Sequence, residues 1–574
     1  LRLVGSEMCI RDRRKGEYLM KKRKQVLSAT LAMVLAMGAL TGCGSASETS
    51  NGGTNDSAAN DAKSQETASE QATNDEWITL RVEMYDRSIA GFNVEDCWQL
   101  HYIQENFGDP NHIKVEWVPV SRWEEGTILN TQLAGGTAPD ICMTYGGDLV
   151  QQYVDMGGIT ALDDLLDEYG QDLKAFLGDN VLQYGQFDTG SGLEQYALPA
   201  RRIVTAAQSN YIRKDWLEQL NMDVPTNIEE LYEYLKAAKE NNLGGATTIP
   251  YSSDLYSADP FYGWTFQMDA FIDYSQVTEE DWVANHEFHY NLPGAKEAIR
   301  WMNKFYNEGL VTDYFGIEND DQTKANRVNG YEGFWVGNWD APWRMEDSFQ
   351  IDLEKNVPGA SWIACDPYKP TSESKPHETY TAAGQYIFIP ASVPEETAIA
   401  AVKYLNWMSQ PESLFALQNG EKGHNYTTVD ANGIPTDLKN IDDTEDAYKL
   451  HATDGAPICN GFYYGSDELN ITASANAYPG YSDVVADSLK NSMNNGYEPI
   501  SFTGTIQARV DYGSTVISKE AELLVQSVTC SPESFDQVWD KYLNELLASG
   551  GQQIIDEQRE AYKAGEYRGQ YPMK

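Results

Sequence analysis

His286 and His289 stand three residues apart in "NHEFHY". On a helix that spacing puts two imidazoles on one face, where they could share a metal ion. A solvated loop is the simpler account of the same residues and the one adopted here. "ENDDQ" at 318–322 lacks the ligand spacing of a calcium loop. Glycoside hydrolysis needs two carboxyls about 5–10 Å apart, one with a raised pKa. With 87 acidic residues some pair always looks suitable, so abundance singles out none. No G-x-S-x-G elbow, H-E-x-x-H or phosphate-binding loop occurs. The residues that remain suit recognition rather than turnover. The chain has 14 Trp and 35 Tyr, whose flat faces can cover the C–H face of a pyranose while Asp, Asn and Arg pair with hydroxyls. Aromatics also fill cores, so composition alone is a weak signal.

Such side chains need strand ends and loops to hold them. "WITLRVEMYDRS" predicts a strand that breaks at Asp86, and "HIKVEWVPV" a second strand. A helix from about Trp123 and a short strand over 140–145 follow. Alternating strands and helices predict an α/β lobe with a mostly parallel sheet. Ligands meet such lobes at the carboxyl ends of the strands, which marks Tyr85, Asp86 and Arg87, and likewise Thr144 and Tyr145. Further on, Asn227, Glu229 and Glu230 open a helix with apolar Leu231, Tyr234, Leu235 and Ala238, expected to close at Gly244 and Gly245. "VNGYEGFWVGNWDAPW" predicts a strand with Phe334 and Val336 on one face and Trp335 on the other. An amphipathic helix is expected over 395–408, and the chain closes with two helices split at Gly550 and Gly551.

The first 76 residues have a different character. Met20 precedes four basic residues and an apolar run over 26–40, the parts of a secretory signal and too short to span a bilayer. Residues 1–19 stand ahead of this complete signal and read as a non-native leader. Leu40-Thr41-Gly42-Cys43 resembles the lipobox of bacterial lipoproteins, which implies lipidation at Cys43. The polar stretch 44–75 cannot bury enough surface to offset its chain entropy and reads as a tether with a mean span of about 30 Å.

The formal charge is −45. Without residues 1–42, which hold nine basic and three acidic residues, it is 33 − 84 = −51. Nucleic acid is therefore not a partner. Cys97, Cys142, Cys365, Cys459 and Cys530 are scattered with no C-x-x-C, and their pairing stays open.

"LNTQLAGGTAPDICMTY", "YALP", "YIRKDWLEQLNMDVPTNIEELYEYLKA", "GFWVGNWDAPW", "AAVKYLNWMSQPE", "GEKGHNYTTVDANG" and "VWDKYLNELLASGG" occur in that order. The chain thereby resembles the extracellular solute-binding proteins of bacterial ABC importers, and more narrowly the large oligosaccharide-binding lipoproteins of Gram-positive bacteria. The resemblance implies an α/β, two-lobed periplasmic-binding-protein-like fold with discontinuous lobes joined by a hinge. One lobe would take 77–200 and 376–450, the other 201–375 and most of 451–574, with crossings near 199–205 and 368–384. It implies solute contacts at Trp339, Asp340 and Trp343, at Asp86 and Arg87, and at Tyr145, Tyr211 and Trp264. Arg201 and Arg202 flank the first crossing and would suit an acidic sugar. "RKDW" at 213–216 is expected to be structural. The reading is a lipid-anchored, monomeric binding subunit on the outer face of the cell membrane. It would take an oligosaccharide, work with permease subunits, and have neither catalysis nor cofactor. A secreted glycoside hydrolase and an oligopeptide-binding protein are the alternatives.

Overall fold

The computed structural model describes residues 77–573 apart from 90, 191, 253–266, 313–319, 345–347, 374, 440 and 453. Cys43 and Trp264 lie outside the described residues. The first two strands, β1 (Ile78–Asp86) and β2 (Ile113–Ser121), pair in parallel along their whole length. Val82 to Tyr85 of β1 are all buried, as strands covered on both faces are. β3 (Cys142–Thr144) follows the helix α1 (Glu125–Gly135), and an isolated parallel bridge joins Ile141 to Val82. The carboxyl ends of β1, β2 and β3 therefore point the same way. α2 (Gly147–Asp155) leaves the end of β3.

β4 (Leu198–Arg202) and β5 (Gln208–Arg213) are separated by five residues and belong to different sheets. β5 is the centre of a three-stranded sheet with β6 (Phe334–Asn338) and β7 (Trp362–Cys365), both antiparallel to it. β4 joins β8 (Ala383–Phe388), β9 (Cys459–Asn460) and β3 in the order β9-β4-β8-β3. There β8 is antiparallel to β3 and β4, and β9 is parallel to β4. The expected mostly parallel sheet is thus a parallel pair plus a mixed sheet. The β–α alternation governs only the N-terminal stretch, whereas β4, β8 and β9 arrive from separate parts of the chain, so their directions are not tied by crossover helices.

Period-two side-chain alternation divides the core. On β5, Tyr211 packs into one cluster with Trp335, Trp343 and Trp362 and the interior of the β1–β4 region. Its neighbour Ile212 packs into another with Phe334, Cys365 and the helices α3 (Ile228–Glu240), α4 (Ala295–Asn307) and α7 (Gln507–Thr529). α5 (Glu395–Met408) covers the first cluster through Ala401, Val402, Leu405 and Met408. α6 (Ser482–Met493) adds Val485 and Leu489 to the same cluster. In α3 the Asn227 side chain accepts the Glu230 N–H at 3.0 Å, and all four expected apolar positions are buried. The helix stops at Glu240, before the glycines, because Asn242 already turns left-handed at φ 52°. α8 (Phe535–Leu546) and α9 (Gln552–Ala564) are separated where Gly550 takes φ 124°.

His286 and His289 are not a solvated loop. His289 is 2 % exposed, its Nδ1 lies 2.7 Å from Asp269 Oδ1, and its ring stacks on Trp282 with centroids 4.3 Å apart. No described helix is long and apolar enough to cross a membrane.

A candidate solute cleft

The ends of β1, β2 and β3 carry Arg87, Arg122 and Tyr145 into one place. The Arg122 guanidinium lies 4.3 Å from the centre of the Tyr145 ring, 5.1 Å from Tyr85 and 5.7 Å from Trp123. Glu125 balances it at 3.7 Å. Trp123 is 81 % exposed, an apolar face offered to whatever enters. Arg87 grips Asp454 at 2.6 and 3.0 Å, and His451 Nδ1 sits 3.2 Å from the same carboxylate. Asp86 is exposed and accepts the Ser88 N–H at 2.7 Å, a turn contact. Burial and the Asp454 charge push the Tyr145 phenol up, while Arg87, Arg202 and Arg122 act in the other direction. Three guanidiniums thus converge on one phenol.

From Tyr145 a polar row continues across the sheets. Asn460 Nδ2 donates to the Tyr145 hydroxyl at 3.1 Å, and Arg202 Nη1 donates to Asn460 Oδ1 at 3.4 Å. Arg202 Nε also donates to the Ala383 carbonyl at 3.3 Å, and its guanidinium lies 4.4 Å from the centre of the Tyr380 ring. The Tyr380 hydroxyl donates to Asn338 Oδ1 at 3.1 Å, at the end of β6. Arg201 holds the Phe176 carbonyl at 2.7 Å and lies 4.9 Å from the centre of the Tyr463 ring.

Past Asn338 the chain turns through Trp339, which is half-buried and meets Tyr478 edge-on at 5.9 Å. Asp340 is 6 % exposed and fully engaged: Arg344 donates at 2.5 and 3.0 Å and the Tyr478 hydroxyl at 2.7 Å. That charge holds the Arg344 guanidinium well above its ordinary range. Asp340 therefore fixes Arg344 and Tyr478 and has little acceptor capacity left for a solute. Tyr211 and Trp343 correct the expectation of solute contact. They are 0 % and 1 % exposed, and the Tyr211 hydroxyl donates to the Asn338 carbonyl at 2.5 Å. With Ser488, whose hydroxyl donates to the Trp339 carbonyl at 2.7 Å, they support the Trp339 turn from beneath.

Beside this row is a cavity of about 370 Å³ lined by Gly147, Asp148, Tyr386, Phe502, Arg509 and Arg568 among others. Tyr386 lines this cavity, where burial raises its phenol while Arg568 lowers it, with smaller effects from Asp148 and Arg202. A Cβ on Gly147 would stand 3.2 Å from the Tyr386 hydroxyl, which is why glycine fits at this approach. Among the described residues no group of three His, Cys, Asp or Glu side chains could hold a metal ion.

The structure therefore brings together Arg87, Tyr145, Trp339 and Asp340, turns Arg201 away toward Phe176 and Tyr463, leaves Asp86 on an exposed turn, and withdraws Tyr211 and Trp343 into the core. Arg122, Trp123, Arg344, Tyr380, Asn460 and Tyr478 were not singled out by the sequence. Arg122 and Trp123 directly follow β2, so the strand-end rule that marks Arg87 and Tyr145 marks them too. The other four come together only through tertiary pairing.

Residues 103–420, more than half of the chain, match the family described as bacterial extracellular solute-binding protein. The chain belongs to that family. It is 21% identical over 468 residues to the lipoprotein LipO of Bacillus subtilis (strain 168), covering 79% of this chain and 87% of the relative. It is 21% identical over 471 residues to the polygalacturonan/rhamnogalacturonan-binding protein YtcQ of the same strain, covering 79% and 85%. The fold is similar to that of an HMO-binding, ABC-transporter-associated solute-binding protein from Bifidobacterium longum infantis ATCC 15697. There the TM-score is 0.60 at 16% identity, with 85% of this chain and 99% of that chain covered. The fold class is accordingly α/β and periplasmic-binding-protein-like.

Proposed function

We propose that this protein is the lipid-anchored, extracellular receptor of an ABC importer and captures an oligosaccharide in the cleft described above. The observation that carries the reading is the row Tyr145–Asn460–Arg202–Tyr380–Asn338, which links the carboxyl ends of the first strands to the second sheet. The exposed Trp123 and the half-buried Trp339 lie near its two ends, and planar amide and guanidinium groups lie between them. A solute touching both ends favours the closed arrangement of the lobes by its differential affinity for it. The carbohydrate specificity named for the Bacillus polysaccharide-binding relative supports the same ligand class.

Binding without turnover is supported by the nearest carboxylates. Glu125, Asp340 and Asp454 are each engaged by an arginine, so none is poised as a general acid. In our reading the lobes are 77–202 with 376–460, and 203–375 with most of the chain from 461 onward. β9 beside β4 supports moving the later boundary from 450 to about 460. Cys43 carries the anchor, the chain acts as a monomer, and membrane permease subunits receive the loaded form.

A thermal-shift screen against oligosaccharides, simple sugars and short peptides tests this reading. A ligand at 100 times its Kd stabilises the protein by about 2.7 kcal/mol. The expected outcome is a shift with an oligosaccharide that is recovered intact. Recovery of shortened glycan would establish an enzyme instead, and a shift with peptides alone would remove the carbohydrate. Mass spectrometry of the membrane-extracted protein should find a lipidated cysteine, Cys43, as its first residue.

A further inference from the structure

Three passages of the chain meet beside the row, and two of them are the expected crossings. Residues 203–207 lead from β4 to β5, and 366–382 lead from β7 to β8. They are tied together where the Arg202 N–H donates to the Ala382 carbonyl at 2.9 Å and the Tyr380 N–H to the Thr205 carbonyl at 2.8 Å. The third passage is 496–498. Gly496 and Tyr497 pair in parallel with His377 and Glu378, and the Tyr497 carbonyl accepts the N–H and the hydroxyl of Thr379 at 2.9 and 3.0 Å. The approach is close, since a Cβ on Gly496 would stand 2.2 Å from Thr379 Cγ2. The side chains of this passage then part. Tyr497 is buried in the cluster of α3, α4 and α7, where its hydroxyl donates to Asp269. Glu498 accepts the Ala382 N–H at 3.0 Å with one carboxylate oxygen and the Tyr184 hydroxyl at 2.9 Å with the other.

The segment held in this way carries working parts of the row. Tyr380 sets its ring against the Arg202 guanidinium and its hydroxyl on Asn338, and the Ala383 carbonyl accepts from Arg202 Nε. Glu498 makes none of these contacts, yet it fixes the backbone between Tyr380 and Ala383. Its bond to Tyr184 spans 314 residues, joining the third passage to the stretch ahead of β4. Hydrogen bonds to a carboxylate are shorter and roughly twice as strong as neutral ones, so a single side chain can hold such a junction. We propose that Glu498 is a positioning residue for the solute. It pins the second crossing to Tyr184 and so sets where Tyr380 presents its ring and hydroxyl, without touching the solute. The consequence for affinity rests on the carbohydrate reading above, whereas the pin itself does not.

Two measurements on the purified mature protein test this. Hydrogen–deuterium exchange without solute reads the pin directly. Glu498→Ala should speed exchange over 380–382 and leave 142–144, on β3, unchanged, whereas Glu498→Gln should keep much of the protection because its amide oxygen can still accept the Ala382 N–H. Isothermal titration calorimetry with fructo-, malto- and galacturono-oligosaccharides reads the consequence. Glu498→Ala should weaken binding of the oligosaccharide that the parent protein takes by about 10- to 100-fold, and Glu498→Gln by much less. The loss should vanish in a Tyr380→Ala background, as it does when one residue acts through the other. Gly496→Ala, which crowds Thr379, should reproduce both effects and serves if Glu498→Ala does not fold. Unchanged exchange over 380–382, faster exchange with unchanged affinity, or a loss that adds in full to that of Tyr380→Ala overturns the proposal. Binding of none of the oligosaccharides removes the carbohydrate reading and the positioning role with it, and the pin then stands or falls by exchange.

Discussion

The guanidinium of Arg202 lies 4.4 Å from the centre of the Tyr380 ring, and the hydroxyl of that ring donates to Asn338 at 3.1 Å. Tyr380 therefore does two separable things: its face holds a cation and its hydroxyl holds the end of β6. Tyr380→Phe keeps the first and loses the second, while Tyr380→Ala loses both. A cation–π contact contributes roughly 0.5–2 kcal/mol. Calorimetric titration with the solute should show Tyr380→Ala weaker than Tyr380→Phe by about 2- to 30-fold. Equal losses would show that Arg202 is not positioned by the ring.

The two nearby tryptophans should respond oppositely. Trp339→Ala should cost about 10- to 100-fold in affinity, as loss of an aromatic anchor does, with a small change in melting temperature. Trp343 is enclosed against Tyr211, with ring centres 5.7 Å apart, so Trp343→Ala should cost about 3–5 kcal/mol of stability. Urea unfolding alongside titration separates the two. A destabilised Trp339→Ala with intact affinity would place Trp339 in the core as well.

Glu83 sets a pH limit on the sheet that holds β1. It is 0 % exposed, and burial pushes its carboxyl up to about 8, against the hydrogen bond from the Met143 N–H and with a smaller push from Glu125. The folded protein therefore holds a proton that the unfolded chain releases near pH 4.5. Stability falls as pH rises from about 4.5 to about 8 and levels off above, since the folded state binds the extra proton only within that window. Glu83→Gln should flatten this slope and stabilise the protein by a few kcal/mol at pH 8, about 1.4 kcal/mol per pH unit of the window. Melting curves of both proteins between pH 5 and 9 would show it, and parallel curves would refute it.

All five cysteines of the described residues are free thiols, four of them buried and Cys530 half-buried. Burial raises each thiol, Cys97 to about 11 and Cys459 to about 12. Peptide mapping after alkylation at pH 8 should find modification at Cys530 alone in the native protein and at all five in denaturant. A disulfide would leave two of them unmodified even when unfolded.

Local rules carried the fold far. The helix over 395–408 stands where its amphipathic pattern places it, and the Asn227 cap opens α3. The glycine pair near 550 divides the last two helices. These signals lie within one or two turns of chain, where capping, φ restriction and side-chain period act. The mixed sheet was not legible, because nothing local in Leu198–Arg202 says that residues 459–460 will lie beside it. The site divides in the same way. Arg87 and Tyr145 follow from strand ends, whereas the enclosure of Tyr211 depends on Trp335 and Trp343, more than a hundred residues away. An aromatic at a strand end reads the same whether its far side meets solvent or another ring.

The pairing of Asn460 with Arg202 spans 258 residues. A chain delivered across a membrane from its N-terminus cannot close the β9-β4-β8-β3 sheet until about its first four-fifths have emerged. Contacts of such separation also form late, because loop closure must precede them. Assembly thus has a fixed order: the β1–β2 pair can form early, and the row from Tyr145 to Asn338 is completed only when residue 460 arrives. A copy that stops short of residue 459 would carry the first strands without ever completing that row.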